Sequence, residues 1–85
     1  MRILIVEDNR NIAAYTSELL TRNSYEVVVV LDGRLGIDKL KQNSFDLVLL
    51  DLNLPDISGI EILRYIRTIK GFTELPVIIL SGESN

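Results

Sequence analysis

Two short runs in this chain are apolar at every position, and each run is followed by acidic residues. Residues 3–6 lead into Glu7 and Asp8, and residues 47–50 lead into Asp51. Runs without polar interruptions are typical of parallel strands that are buried on both faces of a sheet. If these two strands are neighbours, the three carboxylates meet at the carboxyl edge of the sheet.

A cluster of three carboxylates requires a proton or a bound cation, because like charges at short range repel one another and raise each other's pKa values. The chain contains no histidine and no cysteine, which excludes histidine-based zinc or general-base chemistry and thiolate metal sites. Oxygen ligands alone suit a hard ion, with Mg²⁺ the first choice. The sequence therefore predicts a magnesium site on an α/β sheet.

Length and composition narrow the remaining classes of protein. A chain of 85 residues with 47% hydrophobic residues is one small domain that cannot leave large apolar faces uncovered. Its longest apolar stretch has five residues, at positions 27–31, so no membrane-spanning helix is predicted. The absence of a signal-peptide pattern predicts a cytoplasmic location. A net charge of −3 without a basic run argues against nucleic acid as a direct partner.

Hydrophobic periodicity and turn residues predict four strands that alternate with three helices. The predicted strands are Arg2–Val6, Glu26–Val30, residues 46–51 and Val77–Leu80. Pro76 stands at the start of the last strand, where a strand tolerates proline. Pro55 keeps the residue before it out of helical geometry, so residues 52–57 are predicted to form a loop.

Capping residues and apolar spacing give the approximate limits of the three helices. Either Asn9 or Asn11 caps the first helix, which ends near Asn23. Its apolar positions fall on one face at helical spacing, namely Ile12, Tyr15, Leu19 and Leu20. The second helix follows a turn at Asp32 and Gly33, carries Leu35, Ile37 and Leu40, and ends near Asn43. Ser58 and Glu61 have the spacing of a capping box for the third helix, which Lys70 and Gly71 end.

This order of elements predicts a parallel sheet with helices on both faces, since crossover connections between parallel strands are right-handed. A flavodoxin-like doubly wound sheet has the strand order 2-1-3-4 in its first four strands, and ligands bind beyond the carboxyl ends at the switch point. Glu7, Asp8 and Asp51 all follow strands at that point. Ser81 follows the fourth strand, so its hydroxyl is expected to border the same crevice.

Three segments of the chain carry a family resemblance at mutually consistent spacings. They are residues 3–9 (ILIVEDN), residues 48–59 (VLLDLNLPDISG) and residues 75–82 (LPVIILSG). With these segments the chain strongly resembles the receiver domain of two-component response regulators, similar to the single-domain chemotaxis regulator. The resemblance runs over residues 1–85, which we interpret as the amino-terminal portion of one receiver domain.

The resemblance implies a signalling module rather than an enzyme, and it implies a role for each site residue. Asp51 is expected to accept a phosphoryl group from a sensor histidine kinase, a histidine phosphotransfer protein or a small phosphodonor. Glu7 and Asp8, together with Asp51, are expected to hold Mg²⁺, and Asn53 is expected to add its backbone carbonyl. Ser81 matches the hydroxyl residue that moves to hydrogen-bond the phosphorylated aspartate. A longer chain would add an output domain.

The chain also departs from the family pattern. A complete receiver has a fifth strand that ends in a lysine, and two further helices, whereas the sequence stops at Asn85. We therefore expect a truncated receiver in which phosphorylation is impaired. We also expect that the apolar fourth strand, at residues 77–80, has an open edge through which the chain self-associates.

Two other functions fit part of the pattern. A magnesium-dependent phosphohydrolase of the haloacid dehalogenase type would use Asp51 as its nucleophile, but such enzymes usually have a second aspartate two residues later. That position is Asn53, which cannot donate and recover a proton. An interaction module that has lost phosphorylation, or an engineered fragment, would explain the missing lysine, although the retained acids argue against it.

Overall fold

The computed structural model describes residues 1–68 and 74–80, in which strands and helices alternate. The elements are β1 (Arg2–Val6), α1 (Arg10–Arg22), β2 (Glu26–Val30), α2 (Gly33–Gln42), β3 (Leu47–Asp51), α3 (Gly59–Thr68) and β4 (Val77–Leu80). The four strands form one parallel sheet in the order β2-β1-β3-β4. The predicted flavodoxin-like topology is confirmed, and β3 begins one residue later than predicted.

The two apolar runs form the centre of the sheet. The register pairs Ile3 with Leu47 and Val6 with Leu50, so the residues that follow β1 lie level with the end of β3. Apart from their first residues, β1 and β3 are buried throughout. Burial on both faces explains why neither run alternates with polar residues.

Helices α2 and α3 cover one face of the sheet and enclose the larger core. Its buried members are Leu4, Val6, Val30, Leu40, Phe45, Val48, Leu50, Ile62, Ile66 and Leu75. Of the apolar positions predicted for the second helix, Leu40 is buried in this core and Ile37 packs against it, whereas Leu35 is 46% exposed. In the third helix, Ile62 and Ile66 are buried in the same core. Leu63 of α3 is partly buried against the same cluster.

Helix α1 covers the other face, where Ile3, Ile5 and Leu49 form the buried cluster among the described residues. The apolar stripe predicted for this helix does not coincide with the side that meets the sheet. Leu20 packs against the cluster, but three of the four predicted residues are exposed, namely Ile12 at 49%, Tyr15 at 66% and Leu19 at 39%. The buried residue of α1 is Ala13, whose small side chain allows the helix backbone to approach the sheet closely. Helical spacing identifies a stripe of residues, but it does not identify the neighbour that the stripe faces.

Side-chain caps fix the starts of the first two helices. Asn9 is the N-cap of α1, because its Oδ1 accepts a hydrogen bond from the Ile12 N–H at 3.0 Å. This contact decides between the two predicted caps. Asp32 is more than a turn residue, since its Oδ1 accepts from the Leu35 N–H at 2.8 Å and caps α2.

The predicted capping box at α3 is not formed. The Ser58 hydroxyl accepts from the Ile60 N–H at 3.1 Å rather than from the residue three positions on. The Glu61 carboxylate turns along the helix and pairs with Arg64 at 3.0 Å. This exposed i,i+3 ion pair competes with the backward contact that a capping box needs. The predicted helix stop at Lys70 and Gly71 lies outside the described residues.

Strand β4 pairs with β3, and two of its apolar side chains are exposed, Ile78 at 51% and Ile79 at 39%. Self-association through this strand stays a prediction. Within the two described ranges, no helix combines the length and the apolar character that crossing a bilayer requires.

Candidate metal centre

Glu7 and Asp8 stand in the three-residue connection between β1 and α1. The Glu7 N–H donates to the Val30 carbonyl at 3.1 Å, which continues the hydrogen bonding of β1 to β2 by one residue. This contact directs Glu7 inward, where its exposed fraction is 5%. Asp8 is exposed, as expected from the alternation of side chains along an extended backbone.

Asp51 is the last residue of β3, and its exposed fraction is also 5%. Its Oδ1 accepts a hydrogen bond from the Asn53 N–H at 3.1 Å. The carboxylate is therefore held at the strand end by the loop that follows it. Sequence reasoning predicted this position from the apolar run that precedes the acid.

The structure brings the three predicted carboxylates together. One oxygen each of Glu7, Asp8 and Asp51 lies within 4.8 Å of the other two. Two ligand oxygens on opposite sides of one Mg²⁺ lie about 4 Å apart, because each Mg–O bond is about 2.1 Å long. A small closure of the cluster would thus allow all three carboxylates to bind one ion.

The electrostatics of the cluster also fit a cation. Burial raises the pKa of the Glu7 carboxyl above its ordinary value, and the charges of Asp51 and Asp8 raise it further. A hydrogen bond from the Asn9 N–H to Glu7 Oε2, at 3.0 Å, opposes the rise. A divalent ion would offset both the burial and the repulsion, since it favours the ionised form of each neighbouring carboxylate.

A seven-residue connection, at positions 52–58, joins β3 to α3 and passes beside the cluster. The Gly59 N–H donates to the Leu52 carbonyl at 3.1 Å and closes this loop. A Cβ atom on Gly59 would lie 2.5 Å from the Asp51 carbonyl oxygen and 2.6 Å from the Leu52 Cα. Only glycine fits this close approach of backbone to backbone.

The same loop is bound to the start of α2 through Asp56, a contact that sequence reasoning missed. Asp56 Oδ1 accepts from the Gly33 N–H at 2.8 Å, and Oδ2 accepts from the Arg34 N–H at 2.9 Å. These hydrogen bonds lower the pKa of the Asp56 carboxyl below its ordinary value. An aspartate after a proline indicates a turn, and no spacing rule links it to a helix that starts 23 residues earlier.

The remaining predicted site residues have different positions. Asn53 is exposed in the loop and contacts Asp51 through its N–H, so it lies next to the cluster. Ser81 lies outside the described residues. An open groove of about 720 Å³ between α1 and β2 is lined by none of the cluster carboxylates.

The fold and the acidic cluster agree with a comparison to known protein families. Residues 3–85 match the family model described as the response regulator receiver domain. The chain belongs to this family. Receiver domains are signalling modules of two-component systems, not enzymes, and the phosphohydrolase alternative is set aside.

Curated relatives include response regulators named ArlR. The one from Staphylococcus haemolyticus is 41% identical over 83 residues, which is 98% of this chain and 36% of that protein. The one from Staphylococcus epidermidis is 44% identical over 82 residues, which is 96% of this chain and 36% of that protein. The chain thus spans about a third of the length of these relatives.

Solved structures with the same fold include two response regulators. The chemotaxis response regulator CheY4 of Vibrio cholerae has a TM-score of 0.92 and 28% identity, with 99% of this chain and 70% of that chain covered. The response regulator TrrA of Thermotoga maritima, solved in complex with Mg²⁺-BeF, has a TM-score of 0.89 and 35% identity, with 98% and 70% covered.

Proposed function

We propose that this receiver domain accepts a phosphoryl group on Asp51 in a reaction that requires Mg²⁺. The observation that carries the proposal is the convergence of Glu7, Asp8 and Asp51 at the ends of two adjacent parallel strands, with their oxygens within 4.8 Å. The magnesium complex of the related TrrA structure supports the choice of ion.

The residues around the cluster fit a bound Mg²⁺ ion. The carboxylates of Glu7, Asp8 and Asp51 and the backbone carbonyl of Asn53 would hold it, which is an all-oxygen set suited to this hard cation. When bound, Mg²⁺ supplies charge neutralisation between the anionic aspartate and the anionic phosphoryl group.

The phosphoryl acceptor is a side-chain oxygen of Asp51. This oxygen attacks phosphorus, the bond from phosphorus to the leaving group breaks, and the leaving group departs with the electron pair. The product on the protein is an acyl phosphate. The Asn53 N–H holds one Asp51 oxygen at 3.1 Å, and such alignment is the main contribution of a protein to phosphoryl transfer.

The product carries the signal, because phosphorylation adds negative charge and acceptor oxygens. In this proposal the Ser81 hydroxyl is drawn toward the phosphoryl group and shifts a two-state loop. The phosphodonor is a sensor histidine kinase or a histidine phosphotransfer protein in the cytoplasm. In a longer chain the conformational change would reach an output domain.

Incubation with acetyl phosphate and Mg²⁺, followed by intact-mass measurement, tests the proposal. The unmodified chain should gain the mass of one phosphoryl group, and Asp51→Asn should gain none. Asp46→Asn is the matched control, since residue 46 directly precedes β3 and therefore lies at the amino-terminal ends of the strands, away from the cluster. Release of free phosphate without an adduct would point to hydrolysis, and no reaction at all would contradict the proposal.

Two variants separate transfer from switching. Asp8→Asn should weaken Mg²⁺ binding, because the ion loses an anionic ligand. Ser81→Ala should retain phosphoryl transfer but lose the conformational response.

The expectation that transfer is impaired in this 85-residue chain is tested by the rate of the same reaction. Light scattering tests self-association through β4, which a compact monomer would contradict.

A further inference from the structure

The start of α2 is capped by two aspartates that lie far apart in the sequence. Asp32, the local cap, accepts from the Leu35 N–H. Asp56 accepts from the Gly33 and Arg34 N–H groups with its two oxygens. The first N–H groups of a helix have no partner within the helix. Here a local cap satisfies one of them, and a residue of the β3–α3 loop satisfies two.

The loop and the helix also touch through apolar atoms. A Cβ atom on Gly33 would lie 2.9 Å from the Ile57 Cβ and 3.0 Å from the Ile62 Cδ1. Ile57 is partly buried against the core under α2 and α3. The hydrogen bonds of Asp56 therefore stand at the edge of a packed contact, which limits the positions that the loop can adopt.

The loop is fixed at three places along its length. Asn53 is bonded to Asp51 at one end, and the Gly59 N–H is bonded to the Leu52 carbonyl at the other. Between these ends, Asp56 connects the loop to α2. Loss of the Asp56 contacts would leave the middle of the loop held only by the apolar packing of Leu54 and Ile57 against the core, as far as the described residues show.

We propose that Asp56 is a positioning residue for the metal centre, because it holds the β3–α3 loop in the shape that presents the Asn53 carbonyl to Mg²⁺. This inference rests on the proposed function. Asp56 itself binds neither the ion nor the phosphoryl group. Its effect passes through the loop backbone, as residues that orient metal ligands commonly act.

The Asp56→Asn substitution tests the proposal with little change in shape. The amide keeps one acceptor oxygen, but its NH₂ group replaces an oxygen opposite a backbone N–H donor. We expect the dissociation constant of Mg²⁺, measured by calorimetry at physiological salt, to rise by about tenfold. In the metal-free chain, the Asn53 N–H should exchange with solvent faster than in the unmodified chain, as measured by NMR.

Two matched variants exclude the simpler explanations. Asp32→Asn removes one negative charge at the same edge of the sheet and keeps a competent cap, since asparagine caps as well as aspartate. Asp46→Asn removes an exposed carboxylate that also accepts a backbone N–H, from Arg2 at 2.7 Å, but at the opposite edge. Both should change the Mg²⁺ dissociation constant by less than about twofold, because neither carboxylate belongs to the cluster and salt screens charges that water reaches.

Each outcome decides the matter. If Asp56→Asn lowers stability but leaves Mg²⁺ affinity and Asn53 exchange as in Asp46→Asn, Asp56 is only a helix cap and the inference is overturned. If Asp32→Asn weakens Mg²⁺ binding equally, the effect is one of charge and the inference is also overturned. If the unmodified chain binds no Mg²⁺, the proposed function fails and this inference fails with it.

Discussion

The acidic residues of the candidate site are presented by two strand–loop–helix units that are built differently. The first unit, β1–α1, has a three-residue connection, and its helix buries only Ala13. The second unit, β3–α3, has a seven-residue connection, and its helix buries Gly59, Ile62 and Ile66. The carboxylates of one cluster are thus held in place by local capping in the first unit and by core packing in the second.

This difference shows what each unit needs in order to hold its carboxylates. A short connection leaves Glu7 few conformations, so the strand and the Asn9 cap are sufficient to place it. A longer connection must be restrained along its length, because each free residue costs about 1 to 2 kcal/mol to order. The Gly59 contact and the Asp56 contacts supply this restraint.

The largest expected effect comes from truncating the helix of the second unit. Ile62 is 0% exposed, whereas Ile12 of α1 is 49% exposed. Ile62→Ala should lower the free energy of unfolding by about 3 to 4 kcal/mol, because it leaves a cavity in the core. Ile12→Ala should change it by less than about 0.5 kcal/mol. Urea unfolding measures both, and similar losses at the two positions would show that α1 is packed as tightly as α3.

Closure of the second loop should have the next largest effect. Gly59→Ala places a methyl group 2.5 Å from the Asp51 carbonyl oxygen, and we expect a loss of about 2 to 3 kcal/mol because backbone must move. Gly36→Ala is the control, since its methyl group would meet the Val6 side chain at 3.1 Å. At position 36 the gain in helix propensity, about 1 kcal/mol, offsets much of the free-energy cost of this contact. Equal losses in thermal or urea unfolding would argue against a special role for loop closure.

In the first unit, the cap should matter more than the apolar side chain. Asn9→Ala removes the acceptor for the Ile12 N–H and should cost about 1 kcal/mol of unfolding free energy. Asn11→Ala should be neutral or slightly stabilising, because alanine favours the helix interior. Chemical unfolding of both variants measures the two changes in the free energy of unfolding. A larger loss at Asn11 than at Asn9 would contradict the observed cap.

The two units also differ in how pH acts on their acids. Burial raises the pKa of Glu7 in the first connection, whereas hydrogen bonds from Gly33 and Arg34 lower the pKa of Asp56 in the second. Because the pKa of Asp56 is lowered in the folded state, its ionised carboxylate stabilises the fold at any pH above 3.8, the ordinary pKa of the group. This stabilisation is lost as the pH falls through the lowered, folded-state pKa.

The stability difference between the unmodified chain and Asp56→Asn should therefore be full at neutral pH and should shrink in acid. Unfolding of both proteins across this pH range, without metal, measures the difference. A gap that stays constant down to the most acidic conditions would mean that the carboxylate charge does not strengthen the contact with α2. This is the smallest of the four effects, because Asp56 is exposed.

The sequence was most informative where chemistry and local pattern coincide. The uninterrupted apolar runs predicted that β1 and β3 are buried, and the alternation of elements predicted the strand order, both of which are confirmed. The pattern was least informative on α1, where Tyr15 and Leu19 lie at helical spacing but are exposed. Ser58 and Glu61 have the spacing of a capping box, yet the Arg64 guanidinium binds Glu61 instead.

By itself, the sequence determined that acids follow two buried parallel strands. The uninterrupted apolar runs and the acids directly after them are local features, which can be read without knowing what the strands pack against. Only the tertiary structure decided which side of α1 meets the sheet, that Gly59 packs on the Asp51 backbone, and that Asp56 reaches the start of α2. Those contacts join residues in different elements or loops, and their geometry depends on how whole elements pack together.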